Sequence, residues 1–486
     1  MCGIAGLEGN FKGNDLLDLL KSIKHRGPDS TGIYLKEEGI KNDIDLDNLD
    51  LNNNYTLAKG HNLLSIYNQD DFKKGFQPIS YKNLTLVYNG EIYNTNEISD
   101  FLNLPNDTSD DYILIKLIYF FYYKHSSLLT AMEYIFEFLD GDYAFAVYDG
   151  ENLAVLRDPL GMRPLFYSIS GENKAFASEK IALKNLDYKD IKSLKPGCVL
   201  YNWKEFYFEN DIWDEKIDIG HDYLNDLESL LTSSILKRIK NIDEIGLIFS
   251  GGVDSTIIAY ILKEIQKERD LTVKLYVVGD ENSQDIVYSK KIAKILGFDL
   301  KIQNINEKIV KDNLNTVLDF LGENNLMKIG VAMTVYLASN LIRDDGLRVG
   351  LTGQGADELF AGYNRYLKTY KKGLKELDYE LRYDISNMYN VNLERDDAAC
   401  MKSSIELRSP YLDKNFVKYS LNIPVNLKIS SEDDKLRKNI LRKLAIKLNI
   451  PKEFANRPKK AAQYGSGIDK ILRKKCLDDI NDYFLM

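Results

Sequence analysis

One segment decides the fold of the second half of the chain: Ile248-Phe249-Ser250-Gly251-Gly252-Val253-Asp254-Ser255. An apolar strand is predicted over 245–249 and a helix over 254–265, so the glycine-rich turn lies where a strand ends and a helix begins. Backbone N–H groups and the helix dipole favour an anion at such a turn, and glycines let phosphate approach the backbone closely. The segment lacks the Gly-Lys-Ser/Thr ending of a Walker A loop, which argues against cleavage of ATP between its β- and γ-phosphates by that route.

The sequence around this turn alternates regularly between strands and helices. From His221 onward, further strands are predicted over 271–278 and 347–351, and a helix is predicted over 285–296. Strands that alternate with helices pair in parallel. This half of the chain is therefore predicted to be a doubly wound parallel sheet, with a mostly helical extension towards the carboxy terminus.

The N-terminal part of the chain shows a different pattern. Alternating apolar segments at 84–88 and 144–148, the second followed by Asp149-Gly150, are strand and hairpin signals. Helices are predicted over 15–24 and 110–123, where apolar residues recur at spacings of three and four. The pattern predicts a sandwich of antiparallel sheets with helices on its faces.

Composition excludes several classes of protein. The chain has 486 residues, 44% of them hydrophobic and 28% charged, which is typical of a globular protein of two or three domains. A formal charge of −9 argues against a nucleic-acid partner, and no apolar run suggests a membrane span or a secretory signal. The four cysteines are too widely spaced for a zinc site or a disulfide framework, so reduced thiols and a cytoplasmic location are expected.

Cys2 directly follows the initiator methionine. Removal of Met1 would leave a thiol and a free α-amine on the same residue. Their unperturbed pKa values are about 8.5 and about 7.7–8.0, so the amine could act as the base that activates the thiol. The alternative is that Cys2 is only the second residue of a buried first strand.

Further segments follow Cys2 in order: His25-Arg26-Gly27-Pro28-Asp29-Ser30, Asn89-Gly90-Glu91-Ile92-Tyr93-Asn94, and the glycine-rich turn quoted above. Together with Cys2 they resemble the glutamine-dependent asparagine synthetases, over nearly the whole chain. The resemblance implies an αββα N-terminal-nucleophile sandwich with class II glutamine amidotransferase activity over 1–204. It also implies a linker over 205–220 and an ATP-pyrophosphatase synthetase domain over 221–486.

By this resemblance, the turn is the pyrophosphate loop of enzymes that split ATP between its α- and β-phosphates and leave an adenylate. Adenine is expected between Phe249 and Val278, and Asp254 and Asp357 are expected to bind the Mg²⁺ that accompanies ATP. The alternatives are a structural glycine-rich turn and acidic residues that only complement a helix dipole. The implied ATP-binding residues are Phe249, Ser250, Gly251, Gly252, Asp254, Ser255, Val278, Thr352 and Gly353.

A basic segment near the carboxy terminus, 457–465, resembles the family segment that carries a catalytic lysine. Alignment on Arg457 and Gly465 places that lysine at Lys459, with Lys460 as the alternative. A lysine there could stabilise the charge that develops on the α-phosphate and on pyrophosphate.

The resemblance also assigns the residues of a glutaminase site. Cys2 would attack the amide carbon of glutamine, and Asn89 and Gly90 would stabilise the oxyanion through a side-chain amide and a backbone N–H. Glu91 and Asp110 are expected to bind the α-amino group of glutamine.

Two positions depart from the family pattern. Leu63 stands where the family usually has an arginine that binds the glutamine carboxylate. On a strand over 57–66, Lys59 would project from the same face as Leu63, so Lys59 is the expected substitute, although a single lysine is less directional than a bidentate arginine. Gln354 stands where relatives generally have glutamate, and glutamine cannot act as a general base. A distinct, archaeal-type subgroup is expected.

The resemblance implies an ATP-dependent ligase whose substrates are glutamine, aspartate and ATP. Ammonia released from glutamine would convert β-aspartyl-AMP into asparagine, and a homodimer is compatible with the family. Three alternatives stay open: an amidotransferase for a different acid, an ammonia-dependent synthetase with an impaired glutaminase, and a non-catalytic descendant of the family.

Overall fold

The computed structural model describes residues 1–67, 75–105, 107–209, 211–214, 220–459 and 462–485. The chain divides into two compact units. Unit 1 comprises Met1–Asn210 and a second, short stretch, Tyr389–Asp397, whereas unit 2 comprises Asp211–Met388 and Ala398–Met486. The short stretch in unit 1 has no counterpart in the domain boundaries predicted from the sequence.

Unit 1 is built on two antiparallel sheets in the described part of the chain, one of seven strands and one of six. The strands are β1 Gly3–Lys12, β2 Ser30–Leu35, β3 Gly39–Lys41, β4 Asn54–Leu63, β5 Ile79–Tyr81, β6 Leu84–Ile92, β7 Gly141–Tyr148, β8 Leu153–Arg157, β9 Phe166–Ser170, β10 Asn173–Ala177, β11 Lys192–Ser193, β12 Cys198–Tyr201 and β13 Lys204–Tyr207. The larger sheet has the order β11-β9-β10-β1-β4-β2-β3, and the smaller has the order β13-β12-β8-β7-β6-β5.

Helices cover the outer face of each sheet. They are α1 Gly13–Ser22, α2 Thr95–Leu102, α3 Asp110–His125, α4 Leu128–Phe138 and α5 Lys180–Asn185. α1 and α5 pack on the larger sheet, and α2, α3 and α4 pack on the smaller one. The four layers confirm the predicted αββα sandwich.

Strand β7 shows why the sequence forms these layers. The strand is buried along nearly its whole length, because one face meets the other sheet and the opposite face meets the helices. Small side chains, Ala144 and Ala146, lie in the core between the sheets, whereas Tyr143 and Phe145 lie in the core beneath the helices. Successive side chains on a strand point to opposite faces, so one short segment serves both cores.

Unit 2 contains a five-stranded parallel sheet with the order β16-β15-β14-β17-β18. Its strands are β14 Glu244–Ile248, β15 Thr272–Gly279, β16 Asp299–Asn304, β17 Val349–Leu351 and β18 Glu406–Arg408. The strand order runs in one direction from β14 through β15 to β16 and in the other through β17 to β18. This reversal makes the carboxyl ends of β14 and β17 the topological switch point, where open α/β sheets bind ligands.

Helices surround this sheet and form the C-terminal extension. They are α6 Asp211–Asp214, α7 Tyr223–Arg238, α8 Val253–Glu268, α9 Gln284–Leu296, α10 Glu307–Leu321, α11 Leu326–Asp344, α12 Ala356–Leu359, α13 Arg365–Tyr370, α14 Leu374–Met388, α15 Glu394–Met401, α16 Lys414–Asn422, α17 Val425–Lys428, α18 Asn439–Lys447, α19 Lys452–Ala455, α20 Ala462–Ser466, α21 Ile468–Lys475 and α22 Leu477–Leu485. The parallel sheet with its helices confirms the predicted α/β architecture of this half.

No single helix in the described part of the chain is both long and apolar enough to cross a bilayer. α10 and α11 would be long and apolar enough only together, and they are bent by 110° relative to each other.

The helical part of unit 2 buries one lysine without a compensating partner. Lys428, at the end of α17, is fully buried, and its Nζ makes no hydrogen bond within the described residues. Burial lowers the pKa of this lysine to about 7, although the negative charge of Asp378 opposes that shift. Because the unfolded chain holds the proton up to about pH 10.4, folding loses stability as the pH falls from there towards 7.

We therefore expect Lys428→Met to stabilise the protein at pH 7, by at most about 4 kcal/mol in the free energy of unfolding. The gain should largely disappear near pH 10.5, where the lysine is neutral in the folded protein and about half neutral in the unfolded chain. Thermal unfolding of both proteins at the two pH values would check this. Lys375→Met, which removes an exposed lysine from α14, serves as the control, and equal gains at both pH values would contradict the prediction.

Candidate active sites

Cys2 lies immediately before β1, where it contacts groups from two different segments. Its backbone N–H donates to Oδ1 of Asn89, at 2.9 Å, and its carbonyl oxygen accepts from Nε of Arg26, at 3.1 Å. The residue is partly exposed. Both main-chain polar groups of Cys2 are thus held by side chains, which fixes the orientation of the residue that carries the thiol.

Asn89, on β6, has a second feature that suits an oxyanion site. The side chain is fully buried, and its Nδ2 makes no hydrogen bond within the described residues. A buried amide donor without such a partner, beside Cys2, can donate a hydrogen bond to a developing oxyanion without prior rearrangement. Gly90 follows Asn89 on β6, next to β7. A side chain would not fit there, because a Cβ on Gly90 would lie 2.3 Å from the carbonyl oxygen of Asp142.

Two carboxylates expected to bind the α-amino group, Glu91 and Asp110, are brought close to each other. Tyr67 Oη donates to Glu91 at 2.7 Å, and Tyr88 Oη donates to Asp110 at 2.9 Å. Burial, together with the charge of Glu91, raises the pKa of Asp110 well above its usual value. A cationic ligand would relieve this repulsion, so the pair is suited to an ammonium group.

The structure places Lys59 elsewhere than expected. Lys59 is fully buried in β4, and its Nζ donates to the carbonyl oxygen of Thr85 at 2.5 Å and lies 3.4 Å from that of Ala146. Thr85 is four residues from Asn89 along β6, or about 13 Å. Lys59 is therefore a core residue of the sandwich and not a neighbour of Cys2, which corrects its assignment as the carboxylate clamp. Leu63 is buried as well.

The glycine-rich turn of unit 2 joins β14 to α8, and it needs glycine at one position. Gly251 has φ 65°, in the left-handed region, and Tyr288 and Ser289 leave little room for a Cβ. Nη1 of Arg457 donates to the carbonyl oxygen of Ser250 at 2.5 Å and so holds the turn. The turn lies at the N-terminus of α8, where an anion site is expected.

Four charged side chains converge at the carboxyl ends of β14 and β17. Asp254 lies on α8 and Asp357 on α12, and the fully buried Nζ of Lys438 is 2.7 Å from Oδ2 of the first and 2.6 Å from Oδ1 of the second. Lys459 pairs with the other oxygen of Asp357. We call these four residues the charge cluster. Lys460 lies outside the described residues, so its alternative assignment stays open.

Residues of the charge cluster shift one another's pKa values. Burial opposes ionisation of Asp357, but Lys438 and Lys459 outweigh it and hold the pKa of the carboxyl well below its usual range. Burial likewise opposes the charge on Lys459, but Asp357 and Asp254 raise the pKa of that ammonium group. Both groups are therefore charged at neutral pH. The cluster presents ammonium and carboxylate groups side by side, which suits a metal-bound polyphosphate.

The two aspartates also fit the magnesium expected with ATP. Oδ1 of Asp254 is buried and makes no hydrogen bond within the described residues, which leaves a carboxylate oxygen for a cation. Those residues contain no group of three or more metal-binding side chains. Mg²⁺ commonly takes one or two carboxylates plus phosphate oxygens, so a two-aspartate site fits an ion that arrives with its nucleotide.

The other predicted nucleotide residues surround the switch point. Thr352 and Gly353 follow β17, and a Cβ on Gly353 would lie 3.1 Å from Cβ of Asp254. Phe249 follows β14 directly, and Val278 lies near the end of β15; both are buried. Gln354, half-buried, continues the same turn. The structure thus brings the residues predicted to bind nucleotide to one edge of the sheet.

Lys438 is a site residue that sequence analysis missed. It precedes α18 with φ 52°, and Arg437 before it has φ 54°, an unusual conformation for two successive residues that are not glycine. Arg442 binds the carbonyl oxygens of both Arg437 and Arg457 and ties these segments together. In sequence the lysine is one of many in a basic, polar stretch, so only the fold reveals its role.

Comparisons with known proteins assign each part of the chain to a family. A family model described as asparagine synthase matches residues 226–376 and 370–483, and a model described as a glutamine amidotransferase domain matches residues 1–194. A Methanocaldococcus jannaschii protein, provisionally named glutamine-hydrolysing asparagine synthetase 1, is 36% identical, with 98% of this chain and 95% of that protein aligned. The glutamine-hydrolysing asparagine synthetase of Homo sapiens is 28% identical, with 97% of this chain and 85% of that protein aligned.

The fold and these matches define an ATP-dependent carbon–nitrogen ligase that uses glutamine as its amide donor. The family models together match most of the chain, and the archaeal relative aligns over nearly all of it. The chain belongs to the asparagine synthetase family, with a glutamine amidotransferase domain at its N-terminus.

The place of Lys59 predicts the outcome of a substitution. Lys59→Met should leave the KM for glutamine within about twofold of the wild-type value, because the ammonium group is bound to core carbonyl oxygens. Steady-state kinetics of glutamate release would measure this. A rise in KM of about tenfold or more, at unchanged kcat, would instead restore Lys59 as the carboxylate clamp.

The packing of the charge cluster predicts a second outcome. A Cβ on Gly362 would lie 1.9 Å from Oδ1 of Asp357 and 2.2 Å from Cε of Lys438. Gly362→Ala should therefore displace the cluster and lower ATP-dependent synthesis about tenfold or more, whichever nitrogen source is supplied. Glutamate release from glutamine should be unchanged.

The control for Gly362→Ala is Gly346→Ala. That glycine also lies in unit 2, and a Cβ there would meet no atom within 4 Å. Because its φ is 79°, alanine there costs about 1 kcal/mol of stability, so this variant separates a general loss of stability from crowding of the charge cluster. Unchanged synthesis in Gly362→Ala, or an equal loss in the control, would show that crowding of the charge cluster is not the cause.

Proposed function

We propose that the protein is a glutamine-hydrolysing asparagine synthetase, which converts aspartate, ATP and glutamine into asparagine, AMP, pyrophosphate and glutamate. The observation that carries this proposal is the charge cluster at the switch point of the parallel sheet. Its two aspartates and two lysines match the needs of a nucleotide cleaved between the α- and β-phosphates. A Cys2 site in unit 1 adds the means to release ammonia from glutamine.

In the glutaminase reaction, removal of Met1 gives Cys2 a free α-amine that can take the proton of its thiol. The thiolate attacks the amide carbon of glutamine, and Nδ2 of Asn89 and the backbone N–H of Gly90 stabilise the oxyanion. Collapse of the tetrahedral intermediate expels ammonia and leaves a thioester at Cys2. Water then hydrolyses the thioester to glutamate. Glu91 and Asp110 hold the α-amino group of the substrate.

In the synthetase reaction, the β-carboxylate of aspartate attacks the α-phosphorus of ATP and displaces pyrophosphate. Asp254 and Asp357 would hold Mg²⁺, whose chemistry is to neutralise phosphate charge. Lys459 stabilises the charge on the α-phosphate and the leaving pyrophosphate. Ammonia then attacks the acyl carbon of β-aspartyl-AMP, AMP leaves, and the nitrogen loses a proton.

Two expectations of the family resemblance belong to the same proposal: a cytoplasmic location and a homodimeric assembly. The identity of the acid is part of it as well. A related amidotransferase acting on another acid would keep the adenylating site and change the pocket for the acid.

The experiment that tests the proposed function measures asparagine and pyrophosphate formed by the purified protein with ATP, Mg²⁺ and aspartate. Glutamine and ammonium are compared as nitrogen sources. Asparagine from both supports the full proposal. Asparagine from ammonium alone identifies an ammonia-dependent synthetase with an impaired glutaminase, and product from neither source refutes aspartate as the acid.

The role of Cys2 makes a separate prediction. Cys2→Ala should abolish glutamine-dependent synthesis and leave ammonium-dependent synthesis within about twofold of wild type, because only the nucleophile is lost. Cys476→Ala, which removes a buried thiol from the C-terminal helices, is the control and should keep both activities. Glutamine-dependent synthesis by Cys2→Ala would rule out Cys2 as the nucleophile.

A further inference from the structure

Unit 1 contains nine residues that come from far along the chain. Tyr389–Asp397 belongs to unit 1, although the chain on both sides of it belongs to unit 2. The segment consists of a π-helical turn, Tyr389–Leu393, followed by the first residues of α15. π-helical turns are rare in proteins, and those that occur are often found at functional sites. We call these nine residues the returning segment.

Asp397, the last residue of the returning segment, is bound to Arg26. Nη1 of Arg26 lies 2.6 Å from Oδ2 of Asp397, and Nη2 lies 3.4 Å from Oδ1, so the carboxylate faces the guanidinium with both oxygens. Both side chains are buried. Charge-assisted contacts of this two-pronged kind fix orientation as well as distance.

The same guanidinium holds the main chain of Cys2. Nε of Arg26 donates to the carbonyl oxygen of Cys2 at 3.1 Å, and Nη1 also donates to Oε1 of Glu179 at 2.9 Å. Glu179 is in turn 3.0 Å from Nε2 of His25. Arg26 therefore stands between two carboxylates and the residue that carries the nucleophile, and its orientation depends on both carboxylates.

A second ion pair anchors the returning segment without involving Cys2. Nη1 of Arg157 lies 3.0 Å from Oε1 of Glu394, which also accepts from Oγ of Ser193 at 2.5 Å. The Arg157 guanidinium lies over the ring of Tyr389. The segment would thus remain docked through Glu394 and Tyr389 if the contact of Asp397 were weakened.

We propose that Asp397 is a positioning residue of the glutaminase reaction, which acts through Arg26 on Cys2. This inference rests on the proposed function of the Cys2 site. With both carboxylates in place, Arg26 fixes the carbonyl group of Cys2, while Asn89 fixes its N–H. The two contacts together set the direction of the thiol and the α-amine. Loss of the charge at 397 frees the guanidinium to turn towards Glu179 and away from Cys2.

The test compares Asp397→Asn with Glu394→Gln in the full-length protein. Each variant removes one carboxylate charge from the returning segment and one partner of a buried arginine, but only Asp397 contacts Arg26. Asp397→Asn should lower kcat for glutamate release about 10- to 100-fold and change the KM for glutamine less than about threefold. Ammonium-dependent synthesis should be unchanged. Glu394→Gln should keep both activities.

A second readout follows Cys2 directly. Alkylation of Cys2 by a diazoketone analogue of glutamine, measured by intact mass, should slow in Asp397→Asn by the same factor as kcat. Asp397→Glu, which restores the charge, should recover part of kcat for glutamate release and part of the alkylation rate. Equal losses in Asp397→Asn and Glu394→Gln would overturn the proposal, because docking of the segment alone would then explain the effect. Unchanged glutamate release in Asp397→Asn would overturn it as well.

Failure of the proposed function would look different. Wild-type protein that releases no glutamate from glutamine and is not alkylated at Cys2 would refute the glutaminase, and the role of Asp397 with it. Loss of glutamate release confined to Asp397→Asn, with asparagine still formed from ammonium, supports the proposal and shows that the synthetase site is intact.

Discussion

Burying a charged side chain is costly unless another charge or a polar group replaces the water it leaves, and the lowered pKa of Lys428, whose Nζ makes no hydrogen bond within the described residues, shows that cost. Both active sites depend on this constraint. In unit 2, Lys438 is buried between Asp254 and Asp357, and each of the three would be costly to bury alone. The need for mutual compensation draws together segments that are far apart in sequence, and so assembles the charge cluster.

Unit 1 uses the same constraint for a different purpose. Arg26 is fully buried, and Glu179 and Asp397 balance it and raise the pKa of its guanidinium despite burial. The guanidinium retains one N–H for the carbonyl oxygen of Cys2. A group that is immobilised by two carboxylates makes a rigid support for a residue near the chain terminus, where backbone order is otherwise weakest.

The sequence predicted those features of the fold that depend on local residue patterns. The αββα sandwich and the parallel sheet follow from residue periodicity and the family motifs, and the glycine-rich turn follows from a strand, glycines and a helix in succession. Partners distant in sequence were not predictable. Lys438 and Asp397 carry no local signal, because any lysine or aspartate in a polar stretch usually faces solvent. Lys59 was misplaced because β4 is buried on both faces, so alternation alone could not tell which face meets the active site.

Gln354, in the turn that leads to Asp357, is compatible with the charge balance of the charge cluster. Two lysines already balance the two aspartates of the charge cluster. Nearby Glu358 is buried, and its burial and the charge of Asp357 raise its pKa. A glutamate at 354 would add one more like charge, whereas a glutamine keeps hydrogen-bonding capacity without it. The proton released when ammonia attacks the adenylate must then go to a group other than residue 354.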